Sequence, residues 1–298
     1  YPITGFIQYE GYAKTMMKKV NFTKMHGTGN DYIYINCLEK EIDDPSGLAI
    51  RMSPRHHSVG SDGIVLICPS DVADAKMRMF NIDGSEGKMC GNAIRCVGKY
   101  LYDNGITQKT SLSIETLSGI KYLELHIINN KVEKVQVDMG LAILEPEKIP
   151  VIASKPMINE KVLVGKKPYN ITAVSMGNPH SVIFMDEIDS LELDKIGSSF
   201  ENLAIFPERV NTEFVKVIDR KTLQMRVWER GSGETYACGT GSCATVVAAI
   251  LNGHCDYNVP ITVKLIGGEL SIICNKDLRV YMTGTATKVY DGVYEYED

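Results

Sequence analysis

The chain has 298 residues, enough for one large domain or two smaller ones, and its 44% hydrophobic and 23% charged content is that of an ordinary globular protein, which excludes wholesale disorder. A formal net charge of −5, from 32 Lys and Arg against 37 Asp and Glu, gives no basic excess for nucleic acid or an anionic membrane surface. No apolar run approaches the ~18 residues that a membrane helix needs.

In chain order, Tyr1 to Thr15 is mixed and polar, and Met16-Met17-Lys18-Lys19 reads as a native start. Residues 1–16 are therefore expected to be an expression-derived or disordered extension. Asn30 opens a strand-like run, Tyr32-Ile33-Tyr34-Ile35. Asp44-Pro45 predicts a helix start, with Pro at the first helical position. The pair His56-His57 points in two directions and reads as surface or capping rather than metal binding. Met77 to Asn81 is a strand-like run, and after Cys90-Gly91 the period changes. Ala93, Ile94, Val97 and Leu101 fall on one helical face. Val132, Val135 and Val137 return to strand, and Leu141 to Pro150, with two prolines and scattered charges, reads as a seam.

Beyond the seam the pattern repeats. At an offset of 148 residues, Met225-Arg226-Val227-Trp228-Glu229 lies over Met77-Arg78-Met79-Phe80-Asn81, and Cys238-Gly239 lies over Cys90-Gly91. The same offset matches Glu234 with Glu86 and Asn178 with Asn30. Ala244, Val247, Ala248 and Leu251 repeat the helical face. Leu278 to Gly284 resembles Val132 to Gly140 at a slightly shorter offset. Two halves of like design follow, each of short strands plus one central helix.

Eight cysteines occur, without Cys-x-x-Cys and without a Cys/His spacing that fits zinc. They are expected to stay reduced, in a cytoplasmic setting, with Cys37, Cys68, Cys96, Cys243, Cys255 and Cys274 as buried packing residues. Cys90 and Cys238 stand apart, because the repeat relates them and each enters a helix before a glycine. Unpaired N–H groups at a helix start favour a thiolate. Two such groups in mirrored halves suit inversion at carbon: one thiolate removes a proton from one face, and the other thiol returns a proton to the opposite face. The glycines allow close approach of backbone, and two helix N-termini suit a carboxylate. Taken singly, Asn30, Asn81, Asn178 and Asn211 read as turn residues, and Glu229-Arg230 as a solvated pair. Lone Gly-x-Gly pairs at Gly27 and Gly239 lack the third glycine of a dinucleotide site. No metal constellation or cofactor signature is present.

Four blocks carry a resemblance: Met25-His26-Gly27-Thr28-Gly29-Asn30-Asp31; Asp83-Gly84-Ser85-Glu86 leading to Cys90-Gly91-Asn92; Gly177-Asn178-Pro179-His180; and Glu229-Arg230-Gly231-Ser232-Gly233-Glu234-Thr235 leading to Ala237-Cys238-Gly239-Thr240-Gly241. Together they resemble the diaminopimelate epimerases, which interconvert LL- and meso-2,6-diaminopimelate in lysine synthesis. The resemblance implies an α+β fold of two pseudo-symmetric halves, each a barrel-like, mostly antiparallel sheet around a central helix, with the site in the cleft between. It implies halves of 17–141 with 285–298, and of 142–284, the closing tail returning to the first. It further implies catalysis by Cys90 and Cys238 with support from His180 and Glu229. Gly91, Asn92, Gly239 and Thr240 would hold the reacting carboxylate, and Asn30, Asn81, Asn178, Asn211, Glu229 and Arg230 would line the site. No cofactor or metal is implied, and a homodimer is. Ala93 where Gly is usual, Thr28 where Leu is common, the variant stretch Ser53 to Ser58 and Gly63 in place of Gln depart from the pattern without removing a catalytic group. A racemase of proline, hydroxyproline or histidine is the nearest alternative. A thiol redox or binding module, cycling a disulfide between the two cysteines, is the second.

Overall fold

In the computed structural model, residues 17–297 are described; the expected extension at residues 1–16 lies outside them. The first half runs β1 (Met17–Gly27), β2 (Asn30–Asn36), α1 (Pro45–Met52), β3 (Gly63–Cys68), β4 (Ala75–Asn81), β5 (Glu86–Gly87), α2 (Gly91–Asp103), β6 (Ser111–Thr116), β7 (Gly119–Ile128) and β8 (Lys131–Leu141). The second runs β9 (Glu160–Val164), β10 (Lys167–Ser175), β11 (Pro179–Phe184), α3 (Leu193–Glu201), β12 (Asn211–Asp219), β13 (Thr222–Glu229), β14 (Gly233–Thr235), α4 (Gly239–Leu251), β15 (Ile261–Leu265), β16 (Gly268–Cys274) and β17 (Arg279–Thr285). The last strand, β18 (Thr287–Glu297), returns to pair with β1 along its length.

Strand order repeats with the sequence. The first half hydrogen-bonds as β18-β1-β2-β3-β4-β6-β7-β8, and the second as β9-β10-β11-β12-β13-β15-β16-β17. In each half only two neighbouring pairs are parallel, β2–β3 and β4–β6, then β11–β12 and β13–β15. The remaining pairs are antiparallel. The two wraps share one sheet, because β8 and β17 pair antiparallel, with Met282 opposite Val137. The two wraps are thus joined by a ladder of main-chain bonds as well as by the proline-bearing stretch, 142–159, that leads from β8 to β9.

Each wrap encloses a helix. In α2 the expected face, Ala93, Ile94, Val97 and Leu101, is buried. In α4 the burial differs from a one-faced pattern: every residue except Thr240 and Leu251 is buried, so this helix is core on all sides. Both helices end alike. Gly105 and Gly253 take positive φ (69° and 76°), which lets the next amides, Ile106 and His254, reach back to the carbonyls of Leu101 and Ala249. The short helix α1 starts as expected, with the Asp44 carboxylate accepting the Gly47 amide at 2.8 Å. It covers the outer face of the first wrap, as α3 covers the second.

Candidate active site

The local backbone that presents each cysteine is the same. Cys90 and Cys238 are extended (φ −135°, ψ 120° and φ −122°, ψ 111°) and cap α2 and α4. The glycine after each is needed where the two helix ends meet. A Cβ on Gly91 would lie 2.6 Å from Met282 Cε, and one on Gly239 would lie 3.1 Å from Met282 Sδ and 3.7 Å from Asn92 Oδ1. Two helix N-termini therefore converge on Met282, which lies against both glycines.

The sulfurs have different neighbours. The Cys90 thiol donates to Asn30 Oδ1 at 3.2 Å. Asn30 is itself fixed, its Nδ2 donating to Asp62 Oδ2 at 2.7 Å, and Arg55 bridges Asp62 to Asp31 at 2.7 and 2.6 Å. Cys238 Sγ accepts the Gly241 amide at 3.3 Å and lies 3.5 Å from Thr240 Oγ1. The thiolate character expected from the helix ends is not the net result. Burial pushes both thiols up; the amides of Asn92 and Ala93 pull Cys90 back, whereas Glu229 and Glu213 push Cys238 further, well above the ordinary thiol value.

On the second half, β11, β12 and β13 place polar groups beside Cys238. His180 is fully buried, its Nδ1 2.7 Å from Glu213 Oε1 and its Nε2 3.0 Å from Asn178 Oδ1. Glu229 closes β13 and accepts the Thr235 hydroxyl; burial raises its pKa. Asn211 is buried, and its Oδ1 accepts the Arg230 amide at 2.7 Å, while the Arg230 guanidinium donates to the Glu208 carbonyl at 2.8 Å. The loop that carries Arg230 is tied down by Glu201 of α3, which accepts from Trp228 Nε1 at 2.8 Å, Gly231 N at 3.0 Å and Arg209 at 2.8 Å. An open cavity of about 440 Å³ reaches Asn178 and Arg230 and is also lined by Lys88, Lys148 and Glu208. A second hollow, about 330 Å³ and lined by Asp189, Gln224 and Arg226, holds none of the residues singled out above.

Most sequence-derived site residues thus fall on the facing ends of α2 and α4 or on the strand ends around them. Asn81 differs, since its Nδ2 donates to Ser85 Oγ at 3.0 Å within a turn, the plain reading for an isolated Asn. Asn92 and Gly239 are buried at their helix starts. Cys37, Cys96, Cys243, Cys255 and Cys274 are buried as expected; Cys68 is only half-buried. His56 and His57 are exposed. Among the described residues no three His, Cys, Asp or Glu side chains converge as a metal site.

Sequence reasoning misses Glu213, Arg95 and Glu201. Glu213 lies two residues after Asn211, hence on the same face of β12, a period-two signal that was available. Arg95, fully buried in α2, is a charge within the otherwise uncharged run Ala93-Ile94-Arg95-Cys96-Val97, a signal that the sequence displays.

Comparison with known proteins follows this geometry. The family model described as Diaminopimelate epimerase matches residues 22–145 and again residues 172–289. The diaminopimelate epimerase of Acetivibrio thermocellus is 55% identical over 275 residues, 92% of this chain and 98% of that protein. Among solved structures, a phenazine biosynthesis protein of the PhzF family from Bacillus anthracis superposes with a TM-score of 0.68 at 17% identity, over 94% of this chain and 100% of that one. A hydroxyproline epimerase from Agrobacterium vitis does so with a TM-score of 0.67 at 12% identity, over 94% and 92%. These last two likenesses concern the fold alone.

Proposed function

The chain belongs to the diaminopimelate epimerase family and is an isomerase, and we propose that it inverts its substrate with Cys90 and Cys238 as a facing acid and base. Its reaction is the interconversion of LL- and meso-2,6-diaminopimelate, a step of lysine biosynthesis. The observation that carries the mechanism is the pair of thiols at equivalent caps of two converging helices. The substrate α-carboxylate sits against the amides of Gly91, Asn92, Gly239 and Thr240, where both helix ends favour negative charge. One cysteine, as thiolate, takes the α-proton; the carbanion charge spreads into the carboxylate and is held by those amides. The other cysteine, as thiol, delivers its proton to the opposite face, and the reverse reaction exchanges the roles.

Each remaining residue has a task in this reading. Asn30 orients Cys90, and His180 and Glu229 support the chemistry beside the reacting ammonium. Asn81, Asn178, Asn211 and Arg230 read the second amino-acid end, a reading favoured by the cavity beside Asn178 and Arg230. A proline or hydroxyproline substrate has no second charged end for Arg230. The machinery is divided between residues 17–141 with 285–298 and residues 142–284, and the enzyme works in the cytoplasm as a homodimer on a small molecule, apart from nucleic acid and membrane.

The test is conversion of LL- to meso-diaminopimelate by protein dialysed against a chelator, followed by chiral chromatography. Full activity is expected, with lysine rejected by roughly 10⁴-fold in kcat/KM because its absent carboxylate leaves buried polar groups unpaired. Activity that is lost to the chelator and restored by a metal, or comparable turnover of lysine, contradicts the reading.

A further inference from the structure

The halves match at an offset of 148 residues, yet their charges do not. Arg95 in α2 corresponds to Cys243 in α4; Tyr32, Val65 and Asn81 in the first half correspond to His180, Glu213 and Glu229 in the second. The helix that starts at Cys90 therefore carries a cation that its counterpart lacks. The strands beside Cys238 carry two carboxylates that theirs lack. We propose, on the footing of the thiol pair above, that Arg95 and Glu213 are positioning residues that polarise the cleft, so that Cys90 is the first of the two thiols to ionise and Cys238 the one that keeps its proton.

Arg95 heads the fully buried side chains by volume, and its donors meet only neutral groups: Thr28 Oγ1 at 2.8 Å, Asn92 Oδ1 at 2.9 Å, the Gly91 carbonyl at 3.3 Å and the Thr285 carbonyl at 3.2 Å. No carboxylate pairs with it among the described residues. A Cβ on Gly27 or Gly284 would lie 2.9 Å from its guanidinium, so both strands that flank it give way to make room. Burial of an unpaired cation is costly, and the fold retains it one turn into the helix that Cys90 caps. Its two contacts at Gly91 and Asn92 tie it to the carboxylate-binding amides.

Glu213 is the counterpart. It is fully buried, one oxygen bound to His180 Nδ1 at 2.7 Å and the other, Oε2, without a hydrogen-bond partner. It lies against the first turn of α4, since a Cβ on Gly241 would sit 2.6 Å from its Oε1. The ionisable groups that face Cys90 are Arg95, Glu229, Tyr32, Tyr34 and Cys96, with Asp62 behind Asn30 and paired to Arg55; those that face Cys238 are Glu229 and Glu213, with His180 bound to Glu213. Glu229 faces both thiols, so the difference rests on Arg95 at one side and Glu213 at the other. In a dry site an adjacent cation favours the ionised thiol and an adjacent carboxylate the neutral one.

Iodoacetamide labelling of the whole enzyme, read separately at each cysteine by peptide mass spectrometry from neutral to alkaline pH, tests this. The midpoint of the pH dependence reports ionisation apart from access. In the wild type the Cys90 midpoint is expected below that of Cys238 by about one pH unit or more, a tenfold difference in thiolate. R95Q should raise the Cys90 midpoint, R95K should restore it by restoring the charge, and E213Q should lower the Cys238 midpoint. Glu213→Gln keeps size and shape, so it and the wild type carry the test if R95Q does not fold. Equal wild-type midpoints, or midpoints that neither charge removal shifts, overturn the polarisation. A failure of the thiol-pair reading is separate: diaminopimelate would then shield neither cysteine from the reagent.

Discussion

At the scale of single residues, the ionisation of Cys90 and Cys238 is a contest between the helix N-terminus that each caps and the burial of each sulfur. A helix N-terminus lowers a thiol's pKa, and sequence alone argues for that outcome. The folded site adds burial, which acts against the charged form and wins at both sulfurs. The consequence can be measured. A thiol held above its usual value is protonated at neutral pH, and the form with one thiolate gains population only as pH rises past about 8.5. The profile of kcat/KM should be a bell with an alkaline optimum: it rises as the first thiol ionises and falls only when the second does. A plateau already reached at neutral pH contradicts this. The sequence marks Arg95 and Glu213 faintly for a related reason. A charge next to apolar residues in sequence reads as a side chain at the edge of burial, whereas the packed structure encloses both fully.

At the scale of elements, α2 was legible from its apolar face, and α1 from Asp44-Pro45. Helix α4 was placed well but its surroundings were not: a sequence of Gly, Ala, Val and Ile without charges fits a helix buried on all sides as readily as one buried on a face. Loops were harder, since their contacts are long-range. Nothing in the local sequence ties Glu201 at the end of α3 to the loop of Arg230, which lies about thirty residues on and is held through two N–H donors, Trp228 Nε1 and Gly231 N. Replacing Glu201 by Ala leaves the donors of Trp228 and Gly231 without their acceptor, at about 1–3 kcal/mol each. Urea unfolding should show a loss of roughly 2–6 kcal/mol, and KM should rise more than kcat falls, because the loop binds the distal end and not the reacting carbon. A variant of wild-type KM with only reduced stability would make Glu201 a purely structural brace.

At the scale of the whole molecule, the repeat gave two like halves, but its closure depends on partners that no local pattern names. Strand β18 pairs with β1 from the other end of the chain, and β8 pairs with β17 to join the wraps. Thr23 meets Asp291 across that closure at 2.7 Å. Similar arginine–glutamate pairs, Arg78 with Glu86 at 2.8 Å and Arg226 with Glu234 at 2.7 Å, mark the same turn in each half and show how far the duplication persists. Such a frame brings two helix caps face to face and makes one reaction, inversion by two thiols, the natural use of the cleft. The central claim is that the two cysteines serve opposite faces of one carbon. It is tested most directly by solvent-deuterium incorporation into LL- and meso-diaminopimelate catalysed by C90S and by C238S. Each variant should lose epimerisation by about 10²–10⁴-fold, yet still exchange the α-proton of one isomer without inverting it, and the preferred isomer should differ between the two. Near wild-type epimerisation by either variant, or the same isomer preference in both, would contradict the facing pair.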